Sequence, residues 1–136
     1  MKHLLRTGLV ATAILSGTLL GGVTVSSTGA FAQTFQTAKE AFDARAWKEA
    51  AKLARSEALE GNANSQGLLA QLYHFGQGVP KDGSLAVMWY TMSMANGNMS
   101  IEPLSEGASF HFTEAELVEI RNRATACLKS NYTNCD

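Results

Sequence analysis

Between Gly61 and Gly97 the chain reads GNANSQGLLAQLYHFGQGVPKDGSLAVMWYTMSMANG, and the punctuation of this stretch decides the fold. Ala63 to Phe75 reads as a helix with Leu69, Ala70 and Tyr73 on one face. Asn62 stands before it as a cap whose side chain can accept an unpaired backbone N–H. Gly76 and Gly78 end it, because both can adopt positive φ without a Cβ penalty. Val79 before Pro80 is held extended. Asp82 then caps a second helix, which runs to about Asn96 with Ala86, Trp89, Tyr90 and Ser93 inward, and Gly97 closes it. Two helices of this length cannot bury their apolar faces alone, so the pattern calls for stacked neighbours.

Upstream the chain supplies one. Setting Gly61-Asn62 over Gly97-Asn98 gives a 36-residue offset at which Ala50 meets Ala86, Leu53 meets Trp89 and Ala58 meets Met94. Gln33 to Phe42 and Trp47 to Glu60 form the earlier pair, rich in Ala and apolar at helical spacing. Gly61 closes the second of these as a left-handed cap. Downstream, Ser100-Ile101-Glu102-Pro103 starts a short helix, with Pro tolerated in the first turn. Thr113-x-x-Glu116 is a capping box before a helix carrying Leu117, Ile120, Ala124, Cys127 and Leu128 on one side. No segment alternates with strand period. The expectation is an all-α, antiparallel helix-hairpin solenoid of about two and a half helix pairs. Its expected core is Ala50, Leu53, Ala54, Leu69, Tyr73, Ala86, Trp89 and Tyr90.

Residues 1–32 read as an address. Lys2, His3 and Arg6 precede an apolar run from Leu9 to about Leu20, and Ala30-Phe31-Ala32 is a small-x-small cleavage site. Gly8, Gly17, Gly21 and Gly22 interrupt the run, which falls short of the roughly 20 strongly apolar residues of a membrane span. A cleaved signal peptide over 1–32 leaves one helical domain over 33–136, in the periplasm or outside the cell, with no membrane span. All 12 acidic residues lie after position 32, whereas Lys2 and Arg6 of the 11 Lys and Arg precede it, so the formal charge moves from −1 to −3. That balance gives no electrostatic case for nucleic acid.

Two cysteines, Cys127 and Cys135, remain. In an exported chain an isolated pair at this spacing reads as a disulfide. Its nine-residue loop corresponds to about 2.6 kcal/mol in the chain-entropy treatment. The competing readings are two free thiols or half of a metal site. A zinc site needs four ligands, for which the mature chain offers only His74 and His111 besides the cysteines.

These residues resemble the Sel-one-like repeat family, a relative of the tetratricopeptide repeats. The family's Leu-Gly-x-x-Tyr helix corresponds to Leu69-Ala70-Gln71-Leu72-Tyr73. Its Gly-x-Gly-Val-x-x-Asp loop corresponds to Gly76 through Asp82, and its Ala-x-x-Trp-Tyr-x-x-Ala-Ala-x-x-Gly helix to Ala86 through Gly97. Ala70 stands where the family prefers Gly, and Ser93-Met94 replace an Ala pair, which predicts a wider helix crossing there. The preceding unit lacks the Gly-x-Gly loop and turns more like a tetratricopeptide hairpin. The ending, Ala126 to Cys135, is similar to that of small exported bacterial members. The resemblance implies a scaffold or adaptor, with some exported members regulating envelope signalling or surface polysaccharide. A cysteine-rich branch is linked to β-lactam binding.

No nucleophile elbow, paired metal motif or phosphate-cradling glycine run is present. The expectation is therefore a non-catalytic protein-binding module without cofactor or metal. Its partner would be an unidentified envelope or secreted protein, and the chain itself a monomer or weakly self-associating. The rival expectation is a small enzyme or β-lactam-binding protein with a site at His74 or His111. Clustered Glu side chains (Glu102 and Glu106; Glu114, Glu116 and Glu119) read as solvated helix faces. Met88 and Met92 read as core rather than a soft-metal stripe. The third helix has a second apolar line, Leu68, Leu72 and Phe75, and with Gln71 these residues form the candidate contact strip. It grips a partner peptide if it is open, and is plain core if the neighbouring unit covers it.

Overall fold

The computed structural model describes residues 34–135; the leader expected over 1–32 lies outside them. Among the described residues the regular structure is entirely helical: α1 (Ala38–Asp43), α2 (Trp47–Leu59), α3 (Ala63–Phe75), α4 (Gly83–Ala95), a 3₁₀ turn (Met99–Ile101), α5 (Glu102–Ser109) and α6 (Glu114–Lys129). None of these helices is long and apolar enough to cross a membrane.

Local chemistry sets most of the boundaries. The Asn62 side chain accepts from Ser65 N–H at 3.0 Å and opens α3, and Asp82 accepts from Leu85 N–H at 2.9 Å and opens α4. Gly61, Gly76, Gly78 and Gly97 all have positive φ, as their places at helix ends require. The capping box is complete, with Thr113 N–H donating to Glu116 Oε2 at 2.7 Å and Glu116 N–H to Thr113 Oγ1 at 3.4 Å. The first helix departs from expectation. It starts at Ala38 rather than Gln33, because Thr37 is extended and its hydroxyl accepts from Glu40 N–H at 3.2 Å. A capping side chain outweighs the helical pattern of the residues before it.

Helices α1 to α4 pack each on the next, and α3 against α4 is the most extensive of these interfaces. Trp89, Tyr90, Leu69, Leu72, Met88 and Met92 of these two helices are fully buried. Of the expected core, Ala50, Ala54, Leu69, Ala86, Trp89 and Tyr90 are buried, and Leu53 and Tyr73 pack half-buried against them. Such large side chains carry most of the hydrophobic stabilisation, on the order of 2–3 kcal/mol each for complete burial.

The α3–α4 crossing is close rather than wide. A Cβ on Gly67 would come within 3.0 Å of Ser93 Oγ, and that hydroxyl donates to Ala63 C=O at 2.7 Å. Serine's small size keeps the approach that the expected Ala pair would give, and its hydroxyl adds a bond across the interface. The following loop is equally tight, since a Cβ on Gly78 would run into the Trp47 carbonyl at the start of α2. Gly78 is thus required by a neighbour as well as by its own φ of 74°.

The C-terminal part differs. Helices α5 and α6 each lie on α4 and pack little against one another. Phe112 meets Gly83 at the start of α4, and Tyr132 meets Asn96 at its end, so α6 runs in the same sense as α4.

Candidate functional site

The apolar strip expected on α3 is mostly closed. Leu72 is completely buried, Leu68 is 8% exposed and Gln71 is half-buried, while Phe75 is 56% exposed. Leu68 and Leu72 belong to the core because a helix between two neighbours is covered on more than one face. Of the four residues only Phe75, with the edge of Gln71, remains available to a partner.

The two histidines lie among aromatic rings. His74 meets Phe75 edge-on with centroids 4.6 Å apart and sits 6.5 Å from the ring of Tyr90. His111 is exposed beside Phe110, 5.6 Å away. Neither has a hydrogen-bonded carboxylate or hydroxyl among the described residues, which is what a general base would need. No three His, Cys, Asp or Glu side chains converge as metal ligands among the described residues. Met88 and Met92 are buried, Met94 half-buried and Met99 exposed, so the four do not form one sulfur face.

The disulfide between Cys127 and Cys135 is formed, with Cα atoms 4.7 Å apart and both residues buried. It closes a tail in which Tyr132 N–H donates to Cys127 C=O at 3.0 Å and Asn134 N–H to Ser130 Oγ at 3.0 Å. Asn131 and Tyr132 both take positive φ, 52° and 64°, an unfavourable region for non-glycine residues. The closed loop seats the Tyr132 ring against Gly61 and brings its hydroxyl to Asn96. The Asn96 amide donates both to Tyr132 Oη and to Gln66 Oε1, each at 2.8 Å, and the buried Gln66 donates to Ala58 C=O at 3.0 Å. One polar chain thus ties the tail, the end of α4, the start of α3 and the end of α2.

A second clasp centres on Glu57 of α2. Its carboxylate accepts from Ala38 N–H at 2.8 Å and from the Ser65 hydroxyl, linking the starts of α1 and α3. Sequence reasoning passed over both clasps. Glu57 looks like any surface acid on an amphipathic helix, and the one hint of Tyr132 was an aromatic side chain inside a nine-residue cysteine loop.

Two buried polar atoms of α4, Trp89 Nε1 and Tyr90 Oη, have no hydrogen-bond partner among the described residues. Burial pushes the Tyr90 hydroxyl up to about 12, so it stays protonated. Glu116 goes the other way: the Thr113 backbone N–H, then the Thr113 hydroxyl, hold its carboxyl below the usual range.

Several surface depressions lie among the described residues, one of them, of about 220 Å³, beside Ser84, Phe112 and Arg123. A shallow one of about 470 Å³ lies at the start of α2, lined by Ala46, Trp47, Lys48, Glu49 and Gly78. A groove of about 240 Å³ separates α5 from α6, lined by Met94, Glu102, Ser105, Glu106, Ser109 and Arg121. Exposed large apolar side chains cluster toward the same end of the chain. Met99, Leu104, Phe110 and Val118 fall within or beside α5 and α6, and Phe75 alone lies elsewhere among the described residues.

Comparison with known proteins returned no match to any family model, any curated protein or any solved structure.

Proposed function

We propose that the chain is an exported, non-catalytic protein-binding adaptor built from Sel-one-like helix pairs. The observation that carries this reading is positional equivalence across the 36-residue offset. Gly61 and Gly97 end α2 and α4 with φ of 87° and 97°, and Ala50 and Ala86, the corresponding residues of the two helices, are both fully buried. A chain that repeats a helix pair in this way builds a surface for other proteins. Export is supported by the leader-like residues 1–32 and by the formed disulfide, which is characteristic of oxidising compartments. Apolar side chains left exposed around α5 and α6 support protein binding over a purely structural role.

The test is expression from Met1 in a bacterial host, with intact mass and in-cell cross-linking. Cleavage after Ala32 and a reproducible envelope or secreted partner are the expected results. Retention of the leader, or a phenotype that disappears in a His74→Ala, His111→Ala variant while cross-linking recovers nothing, would overturn the reading in favour of small-molecule chemistry at the histidines.

A further inference from the structure

The geometry points to the groove between α5 and α6 as a docking site for a cationic amphipathic segment of a partner protein. The proposal rests on the protein-binding reading above and names the chemistry of the partner.

Shape comes first. Both helices lie on α4 and pack little on each other, so the space between them is floored by Met94 rather than filled by a helix interface. Met94 is half-buried, which leaves a flexible, polarisable thioether at the base of the groove, able to fit varied apolar side chains. Two exposed apolar side chains stand near lining residues in the chain. Phe110, which ends α5 directly after the lining residue Ser109, is 85% exposed, the most open large apolar side chain described. Val118, three residues before Arg121 on the same face of α6, is 47% exposed.

Charge then selects the occupant. Between Lys81 and Arg121 the sequence has no Lys or Arg, whereas Glu102, Glu106, Glu114, Glu116 and Glu119 all fall there. Glu102 and Glu106, four apart on one wall of the groove, make no ion pair or hydrogen bond among the described residues. Two like charges at this spacing repel each other on an isolated helix, and a cation between them relieves that repulsion. Arg121, the one cation in the lining, is already paired with Glu114 at 3.1 Å. A polar groove with one thioether in its lining, two unpaired carboxylates on one wall and exposed Phe110 and Val118 nearby favours a helix with Leu or Phe on one side and Lys or Arg beside it. The same charge repels anionic lipid, so the source of the segment is a protein rather than a membrane surface.

The probe is a fluorescein-labelled 14-residue Lys/Leu amphipathic peptide, with its Glu/Leu counterpart as control. Both are titrated by anisotropy against the chain expressed from Met1 and recovered as the host processes it. The Lys/Leu peptide should bind and the Glu/Leu peptide should not. Glu102→Lys with Glu106→Lys should weaken binding about tenfold, and Phe110→Ser should weaken it without altering salt dependence. Glu60→Lys, a charge reversal at the end of α2, should leave binding unchanged, and circular dichroism should be the same for all variants. Equal binding of the two peptides, or an equal loss with Glu60→Lys, would overturn the proposal by showing undirected attraction. Concentration-dependent mass that vanishes in Phe110→Ser, without peptide binding, would overturn it in favour of a second copy of the chain. A cross-linked partner that maps onto Phe75 instead would sink this site while leaving the adaptor reading in place.

Discussion

The α3–α4 pair and the segment after Gly97 are held together by different physics. The pair carries six large, fully buried side chains, Trp89, Tyr90, Met88, Met92, Leu69 and Leu72, so area removed from water dominates its stability. The later segment buries Ile101, Leu117 and Ile120 beside smaller side chains such as Ala108 and Ala124, and leaves Met99, Leu104, Phe110 and Val118 exposed. To that burial it adds a disulfide, a capping box and the Tyr132–Asn96–Gln66 chain. The lesson is a division of labour. A region held by burial has little apolar surface to offer a partner, whereas one held also by covalent and polar links can keep apolar side chains in water.

Removing the anchor of the first region should have the largest effect. Trp89→Ala removes the large, fully buried indole of α4 and should cost about 3–5 kcal/mol. Thermal unfolding followed by circular dichroism should then show loss of the whole fold, since α5 and α6 both rest on α4. If α5 and α6 kept their structure without α4 packing, the contrast drawn here would be wrong.

An intermediate effect is expected from opening the tail. Cys127→Ser with Cys135→Ser should cost up to about 2.6 kcal/mol, the loop-entropy figure. Hydrogen exchange should locate the change: protection should fall at Tyr132 and at Asn96, whose side chain the tail engages, while the amides around Trp89 stay protected until global unfolding. Uniform loss across all helices would mean that the disulfide supports the α3–α4 core directly.

The smallest effect, about 1 kcal/mol, should follow Thr113→Ala, which removes the cap of α6. It also carries a pH signature. Because the folded-state value of Glu116 is lowered, its contribution is present above the ordinary carboxylate range and is lost as pH falls through the lowered value. Stability of the parent should therefore drop on acidification by a larger increment than that of Thr113→Ala, which loses the hydroxyl bond to Glu116 but keeps the backbone one. An identical acid limb in the two proteins would remove the capping box from the list of devices holding α6.

How much of this was legible without coordinates follows from the range of each interaction. The caps at Asn62, Asp82 and Thr113 and the stops at Gly61 and Gly97 involve residues three or four apart, and each stands where the sequence pattern put it. Thr37 is the exception, since a polar residue inside a helical pattern can either sit in the helix or end it. The α3 strip was readable as apolar but not as covered, because whether Leu68 and Leu72 meet solvent depends on helices packed on α3 from elsewhere in the chain. Glu57, Tyr132 and the α5–α6 groove were beyond sequence reasoning for a related reason: their partners lie 8 to 36 residues away or in another helix.

The amino-acid sequence by itself determined the helical class, the helix ends other than the start of α1, and the cysteine pair, since periodicity, capping and local loop closure act within a few turns of chain. Only the tertiary structure decided which apolar faces are spent on the core and which stay open. Burial belongs to neighbouring helices rather than to a residue, and here it closed the strip on α3 and left the groove between α5 and α6.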